Sequence, residues 1–198
     1  MTTKGRELRA ITDFLGSTQV FSATFNDLMT EHLREVTGNR LTLAQLKVLK
    51  LVSESGRLGI SDVANLLGIS SPAASKAVDR LVQSDLLRRT QAEKDRRSIR
   101  ITPTEEGLEL LARYEEATEE ALDNLFDGIS IMHLSELAEW LDRLSIRIIQ
   151  RREDEEVACF RCGVYFRDKC LLRDHHEHAC YLHLREQEAA VESSRPTP

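Results

Sequence analysis

The strongest constraint on the fold lies between residues 60 and 104, where helical and strand-like patterns alternate in a fixed order. Apolar residues recur every three or four positions from Ile60 to Leu67, which predicts a short helix. Gly68 ends that pattern, and Ser70-Ser71-Pro72 offers a capping hydroxyl and an early proline to a second helix. Two strand-like runs follow, separated by a charged loop. This order predicts a winged helix-turn-helix, a mainly α fold with a small β-wing.

The second helix of this motif has an apolar side and an outward side. Ala74, Val78 and Leu81 repeat at helical spacing and are predicted to face the core. Small side chains at its N-terminal end would let the helix enter the major groove of duplex DNA and reach base edges, while basic side chains farther along meet phosphates. The candidate DNA-binding residues of this segment are Ser70, Ser71, Ala73, Ser75, Lys76 and Arg80.

The predicted wing supplies a second candidate DNA contact. Runs 86–90 and 98–102 are β-compatible, and the AEKDRR segment between them is too charged to be buried. Arg96 and Arg97 at a loop tip could enter a minor groove, where negative potential is concentrated. Asp95 could hold the Arg97 guanidinium by paired hydrogen bonds. The alternative is a solvated turn between two hairpin strands.

These residues resemble the DNA-binding lobe of the MarR regulators, a family of bacterial repressors of the multiple-antibiotic-resistance type. The matching segments are LTLAQLKVL at 41–49, VDRLVQSDLL at 78–87, DRR at 95–97 and TEEG at 104–107. With the flanking helices, the resemblance covers about residues 5 to 152. It implies a sequence-specific regulator of transcription that acts as a homodimer, with a small-molecule effector as a further partner. Pro103 stands where the family usually has leucine, and we expect it to perturb the strand-to-helix junction only.

The distribution of charge agrees with DNA binding although the whole chain is acidic. The net charge is −6, yet residues 37–103 hold 12 lysines and arginines against 6 acidic residues. The remainder holds 15 basic against 27 acidic residues, so positive charge is concentrated where DNA contact is expected. The chain contains no run of about 18 apolar residues and no apolar signal-peptide core, so we expect a cytoplasmic protein without a membrane span.

Long amphipathic patterns flank this lobe and predict dimerisation helices. Residues 6–36 and about 132–152 carry more apolar surface than one isolated helix can hide. A two-fold dimer would place its recognition helices roughly 34 Å apart and favour a near-palindromic operator. The alternative is that these stripes fill a monomer core. The helix that begins at Thr104 has a predicted inward stripe of Leu108, Leu111, Tyr114, Ala121, Leu122, Leu125 and Phe126.

The C-terminal region contains all four cysteines, and its spacing resembles a C2HC variant of the ββα zinc finger. The predicted ligands of one zinc per chain are Cys159, Cys162, His175 and Cys180. A segment of about 25 residues needs a bound metal to fold, because Phe166 and Leu172 alone make a very small core. An iron–sulfur cluster is the alternative occupant. The alternative ligands are His176, His178 and His183, while Cys170 fits no ligand position and is expected to be an exposed thiol.

The predicted finger has poor chemistry for reading bases. Its base-reading positions would be Asp168, Leu171 and Asp174, and carboxylates do not suit a groove lined by phosphates. We therefore expect the finger to regulate the DNA-binding lobe, or to stabilise it or recruit a partner.

The sequence thus predicts five segments and one leading function. An enzyme is disfavoured, because the chain has no glycine-rich phosphate loop or nucleophile elbow, and four protein ligands leave zinc no open position. The alternative function is a zinc-dependent protein-interaction adaptor that the winged lobe anchors to DNA. The segments are an N-terminal dimerisation helix at 1–36, the winged lobe at 37–103, C-terminal dimerisation helices at 104–156, the zinc-finger-like module at 157–184 and a disordered tail at 185–198.

Overall fold

The computed structural model describes residues 3–55, 58–91, 99–151, 162–165, 167, 169–173 and 180. The chain divides into two compact units, Met1–Leu43 and Ala44–Pro198. Its elements in chain order are α1 (Thr3–Thr37), α2 (Leu43–Ser55), α3 (Ile60–Leu67), α4 (Ser71–Gln83), β1 (Leu87–Gln91), β2 (Ile99–Pro103), α5 (Glu105–Phe126) and α6 (Ile131–Ile149). This is the mainly helical chain with a small β-wing that the sequence predicts.

The first unit consists mostly of the long helix α1. Gly38 and Asn39 follow it with φ of 60° and 62°, the left-handed conformation that ends helices. Within α1, Met29 and Leu33 are buried. Most of the remaining predicted stripe is exposed, including Leu8, Ile11, Phe14, Leu15, Phe21 and Leu28.

The second unit begins with α2, which is followed by α3 and α4, the two helices of the predicted motif. Each of α2, α3 and α4 contributes side chains to the core, where Leu46, Val63 and Val78 have no exposed surface. At the start of α3, the Gly59 amide donates to a carboxylate oxygen of Asp62 at 2.8 Å. Gly68 ends the helix with φ of 63°. The predicted helix, turn and helix are confirmed in this order.

The wing strands each begin one residue later than the sequence predicts. They pair antiparallel, from Leu87 opposite Pro103 to Gln91 opposite Ile99. Leu86 is excluded from β1 because its amide donates to the Leu81 carbonyl at 2.9 Å, which makes it part of the turn that ends α4.

A third chain segment, for which no local sequence pattern provides a signal, joins this sheet. The Ile101 amide donates to the Leu58 carbonyl at 2.9 Å, so the connection between α2 and α3 bridges β2. Both side chains are buried. The wing is therefore attached to the helical lobe by backbone hydrogen bonds on one edge of the sheet.

The junction between the wing and α5 is tightly built. Thr104 caps α5, because its hydroxyl accepts the Gly107 amide at 3.0 Å and donates to the Asp85 carbonyl at 2.6 Å. A Cβ at Gly107 would lie 2.2 Å from the Leu86 carbonyl oxygen, so only glycine fits there. Pro103 ends β2 without disturbing the helix that follows.

The inward stripe predicted for α5 is partly wrong. Leu108 and Leu125 are 47% and 46% exposed, whereas Leu110 is buried. The buried positions follow the side of the helix that contains Gly107, and Leu108 is one position, or about 100° of rotation, away from it. The buried residues are Gly107, Leu110, Leu111, Tyr114 and Thr118.

An ion-pair cluster joins α5 to the lobe. The Lys50 ammonium on α2 pairs with Glu115 of α5 and with Glu54 at 3.2 Å. Burial works to lower the Lys50 pKa, but the hydrogen bonds and charges of the two glutamates outweigh it and raise the pKa. Lys50 is therefore a charged link between α2 and α5.

Helix α6 exposes most of its apolar side chains and buries one acidic side chain. Leu137, Trp140 and Ile148 are largely exposed, whereas Asp142 is only 4% exposed. An apolar surface of this extent on one helix needs a partner. None of the helices in the described ranges is both long and apolar enough to cross a lipid bilayer.

Two turns, at residues 162–165 and 170–173, lie in the described part of the C-terminal region. The Tyr165 amide donates to the Cys162 carbonyl, and the Arg173 amide to the Cys170 carbonyl, each at 3.1 Å. Leu172, one of the two expected core residues, is buried, and Phe166 lies outside the described residues. The ββα arrangement of this region stays a prediction.

Candidate nucleic-acid interface

One side of helix α4 packs into the core, and the opposite side is exposed to solvent. Ala74, Val78 and Leu81 have no exposed surface. The Ser70 hydroxyl accepts the Ala73 amide at 3.4 Å, and Pro72 lies in the first turn. The predicted cap and proline are therefore both where the sequence places them, and they fix the start of the outward surface.

The residues predicted to meet DNA from this helix lie around its outward side. Lys76 and Arg80 are exposed, and Ser75 is half-buried beside the core. Short side chains surround the N-terminal turn, so a backbone as large as that of a nucleic acid could approach it closely. The exposed small residues of this turn are Ser70, Ser71 and Ala73.

A salt bridge that the sequence does not predict connects this helix to the wing. The Arg89 guanidinium of β1 donates to the Asp79 carboxylate of α4 at 2.5 Å. Both side chains are partly exposed, so the pair contributes roughly 0.2–1 kcal/mol to stability. Its larger effect is electrostatic, since Arg89 neutralises an acidic side chain on the positive surface. The pair spans ten residues of sequence, and no local pattern signals it.

Beside this pair, the strands carry further basic side chains. The Arg88 Nε donates to the Thr102 hydroxyl at 3.2 Å across the sheet, in the register that pairs these two residues. Residues 92–98 lie outside the described residues, so the roles predicted for Asp95, Arg96 and Arg97 stay predictions.

The expected zinc ligands are only partly within the described residues. Cys162 and Cys180 are half-buried, while Cys159 and His175 lie outside. Across the described ranges, no three His, Cys, Asp or Glu side chains gather as metal ligands. Because half of the expected ligand set lies outside those ranges, the zinc site stays a prediction.

Comparison with known proteins places this geometry among transcriptional regulators. The sequence model of the MarR family matches residues 41–99. The HTH-type transcriptional regulator FarR of Neisseria gonorrhoeae is 31% identical over 102 residues, which cover 52% of this chain and 67% of FarR. The HTH-type transcriptional repressor MdtR of Bacillus subtilis is 35% identical over 85 residues, 43% of this chain and 55% of MdtR.

The fold is also similar to solved structures. A mutant of MarR from E. coli, crystallised with operator DNA, superimposes with a TM-score of 0.59 at 18% identity. The match covers 68% of this chain and 95% of that protein. At this level of identity the likeness establishes the fold of the winged lobe and its flanking helices.

Proposed function

Because this chain belongs to the MarR family of transcriptional regulators, we propose that it recognises a specific duplex DNA sequence through α4 and the wing. The observation that carries the proposal is the outward side of α4, where small side chains begin the helix and Lys76 and Arg80 follow. The one acidic side chain on that surface, Asp79, is paired with Arg89.

The chemistry of this surface separates base reading from phosphate binding. The major groove, about 12 Å wide, admits an α-helix whose N-terminal side chains reach base edges. Ser75 has a hydroxyl that both donates and accepts, so it suits base recognition. Lys76 and Arg80 carry the positive charge that phosphates attract, and such contacts strengthen binding without distinguishing sequences.

The regulator acts as a homodimer on a near-palindromic operator. This part of the proposal is supported by the apolar side chains that α1, α5 and α6 leave exposed in the single chain. Two-fold pairing through such faces would present the two α4 helices to successive major grooves, roughly 34 Å apart. The solved MarR mutant that shares this fold was crystallised with operator DNA.

Binding to the DNA that flanks the native gene tests the proposal. Lys76→Ala should weaken binding to all sequences alike and reduce the salt slope by about one unit if one phosphate is lost. Ser75→Ala should instead change the preferred sequence, at about 1–3 kcal/mol per lost base contact. Arg113→Ala, an exposed charge on α5, is the control. Identical sequence preference and salt slope in all three variants would contradict the proposed surface.

The C-terminal region binds one zinc ion through Cys159, Cys162, His175 and Cys180. The ligand spacing supports this, and the two described ligands are half-buried thiols near the buried side chain of Leu172 in sequence, which suits a small metal-centred core. When bound, zinc would hold this segment folded, because four protein ligands leave no position for a reacting water.

Metal analysis of the untagged protein tests the zinc site. Cys162→Ser should lose the metal, since a hydroxyl is a poor zinc ligand, and Cys170→Ser should keep it. Full zinc content in the Cys162 variant would contradict this ligand set. An iron-loaded, brown protein would favour the cluster alternative.

A further inference from the structure

The buried carboxylate of Asp142 on α6 is a receptor for the C-terminal segment. The Arg167 guanidinium donates to both carboxylate oxygens, at 2.7 and 2.9 Å. The Leu171 amide donates to the second oxygen at 3.1 Å. Three donors on one buried carboxylate offset the cost of removing its charge from water.

The same segment also lies against the DNA-binding lobe. Gly163 has φ of 60°, and a Cβ built on it would lie 3.5 Å from Cε of Lys47 on α2. The backbone at Gly163 therefore packs on the aliphatic part of the Lys47 side chain. Two residues farther along, the pKa of the Tyr165 phenol is raised by burial and by the electrostatic influence of Tyr114 of α5.

These contacts lead to one inference about the described residues between 162 and 173, which we name the strap. We propose that the strap joins α2 of the DNA-binding lobe to α5 and α6, and that Asp142 is the positioning residue that anchors it. Docking of the strap then favours one orientation of the DNA-binding lobe relative to α5 and α6. The outward side chains of α4 remain exposed while the strap is docked, so the docked state is competent to bind DNA.

The expected consequence is a coupling between docking and operator affinity. A protein that is already held in its binding orientation loses less conformational freedom when it binds. Coupling between two sites typically amounts to 5–150-fold in affinity. Release of the strap should therefore lower operator affinity by about fivefold or more. This consequence rests on the proposed DNA-binding function, whereas docking itself does not.

Two readouts on the full-length protein test the proposal. Asp142→Asn and Arg167→Gln should each speed hydrogen exchange of the Leu171 amide by about tenfold or more, as expected for loss of a hydrogen bond to a charged group. Each should also weaken operator binding at matched salt. Glu139→Gln is the matched control, because its pair with Arg143 lies on the same helix but is exposed.

The double variant separates a specific anchor from general damage to α6. If Asp142 and Arg167 act only through each other, the double variant should lose no more operator affinity than either single variant. Additive losses would overturn the anchor. Arg167→Gln lies outside the helices, so it keeps the test valid if Asp142→Asn does not fold.

The outcomes also distinguish this proposal from the proposed function. Unchanged Leu171 exchange in both variants would refute docking. Faster exchange with unchanged operator affinity would refute the coupling. A wild-type protein that binds no operator would refute the DNA-binding function, while Leu171 exchange would still decide whether the strap docks.

Discussion

Among the described residues, Tyr165 has the pKa that departs most clearly from its ordinary value. Burial and the neighbouring Tyr114 raise the Tyr165 pKa to about 12. An unfolded chain loses this proton near pH 10. The contribution of Tyr165 to stability is therefore complete below about pH 10 and is lost as the pH rises toward 12.

We expect Tyr165→Phe to reduce the loss of unfolding free energy over that alkaline range, because phenylalanine cannot ionise. The measurement is urea unfolding of both proteins at stepped pH. Ultraviolet titration of the wild type should also show phenol ionisation continuing well above pH 10, since the pKa values of Tyr114 and Tyr165 are both raised. A single transition near pH 10 would show that Tyr165 is not packed in this way.

At the residue scale, local signals were predictable and distant pairs were not. The capping bonds of Ser70, Thr104 and Gly68 join residues within four positions of each other, so these capping roles follow from sequence. The pair of Asp142 and Arg167 is 25 residues apart, and only the folded chain brings the two side chains together. An acidic residue between the apolar positions of α6 was the one available signal.

At the scale of the elements, the start of α5 depends more on its capping side chain than the start of α6 does. Thr104 accepts the Gly107 amide and donates to the Asp85 carbonyl, whereas Ser130 at the start of α6 makes no side-chain capping bond. We expect Thr104→Ala to lower the unfolding free energy by about 1–2 kcal/mol, since both bonds are lost.

Ser130→Ala is the matched control, and its unfolding free energy should stay close to that of the wild type. Thr104→Ser should recover most of the loss because it retains the hydroxyl. Denaturant unfolding measures all three variants. Equal losses at Thr104 and Ser130 would mean that the hydroxyl of Thr104 does not hold the junction.

The periodicity of the sequence predicts which segments form helices and which form strands, but it predicts less well which side of each element is buried. The predicted wing runs differ from β1 and β2 by one residue, because Leu86 is used to close α4. On α5, Leu108 is apolar and correctly spaced from other apolar residues, yet it lies beside the buried stripe. A helix with apolar residues on more than one side does not reveal from its sequence which side the chain itself covers.

At the scale of the whole molecule, the exposed apolar side chains predict assembly. Leu137 and Trp140 on α6 are mostly exposed in the single chain. We expect Leu137→Glu to shift the protein toward monomer, because the dimer would have to bury an unpaired charge. Analytical ultracentrifugation measures the mass, and Trp140, the single tryptophan, reports burial by its fluorescence.

Glu136→Gln is the control for this variant, since Glu136 is an exposed neighbour on the same helix. It should sediment as the wild type does. Weaker operator binding should accompany monomer formation, because a single lobe contacts only half of a two-fold site. A Leu137→Glu protein that keeps the wild-type mass would exclude this face of α6 from the interface.

Because Gly107 has no side chain, the backbone of α5 lies directly against the Leu86 carbonyl, and this contact can serve as a pivot for the helix. The space between Gly107 and the Leu86 carbonyl is too small even for a methyl group, so the start of α5 is held close to the residue that precedes β1. From Gly107 to its end at Phe126, α5 extends about 28 Å. A rotation of about 5° at this contact therefore displaces the far end by about 2.5 Å. Conversely, a displacement of a few ångströms at the far end of α5 corresponds to a rotation of only a few degrees beside the wing.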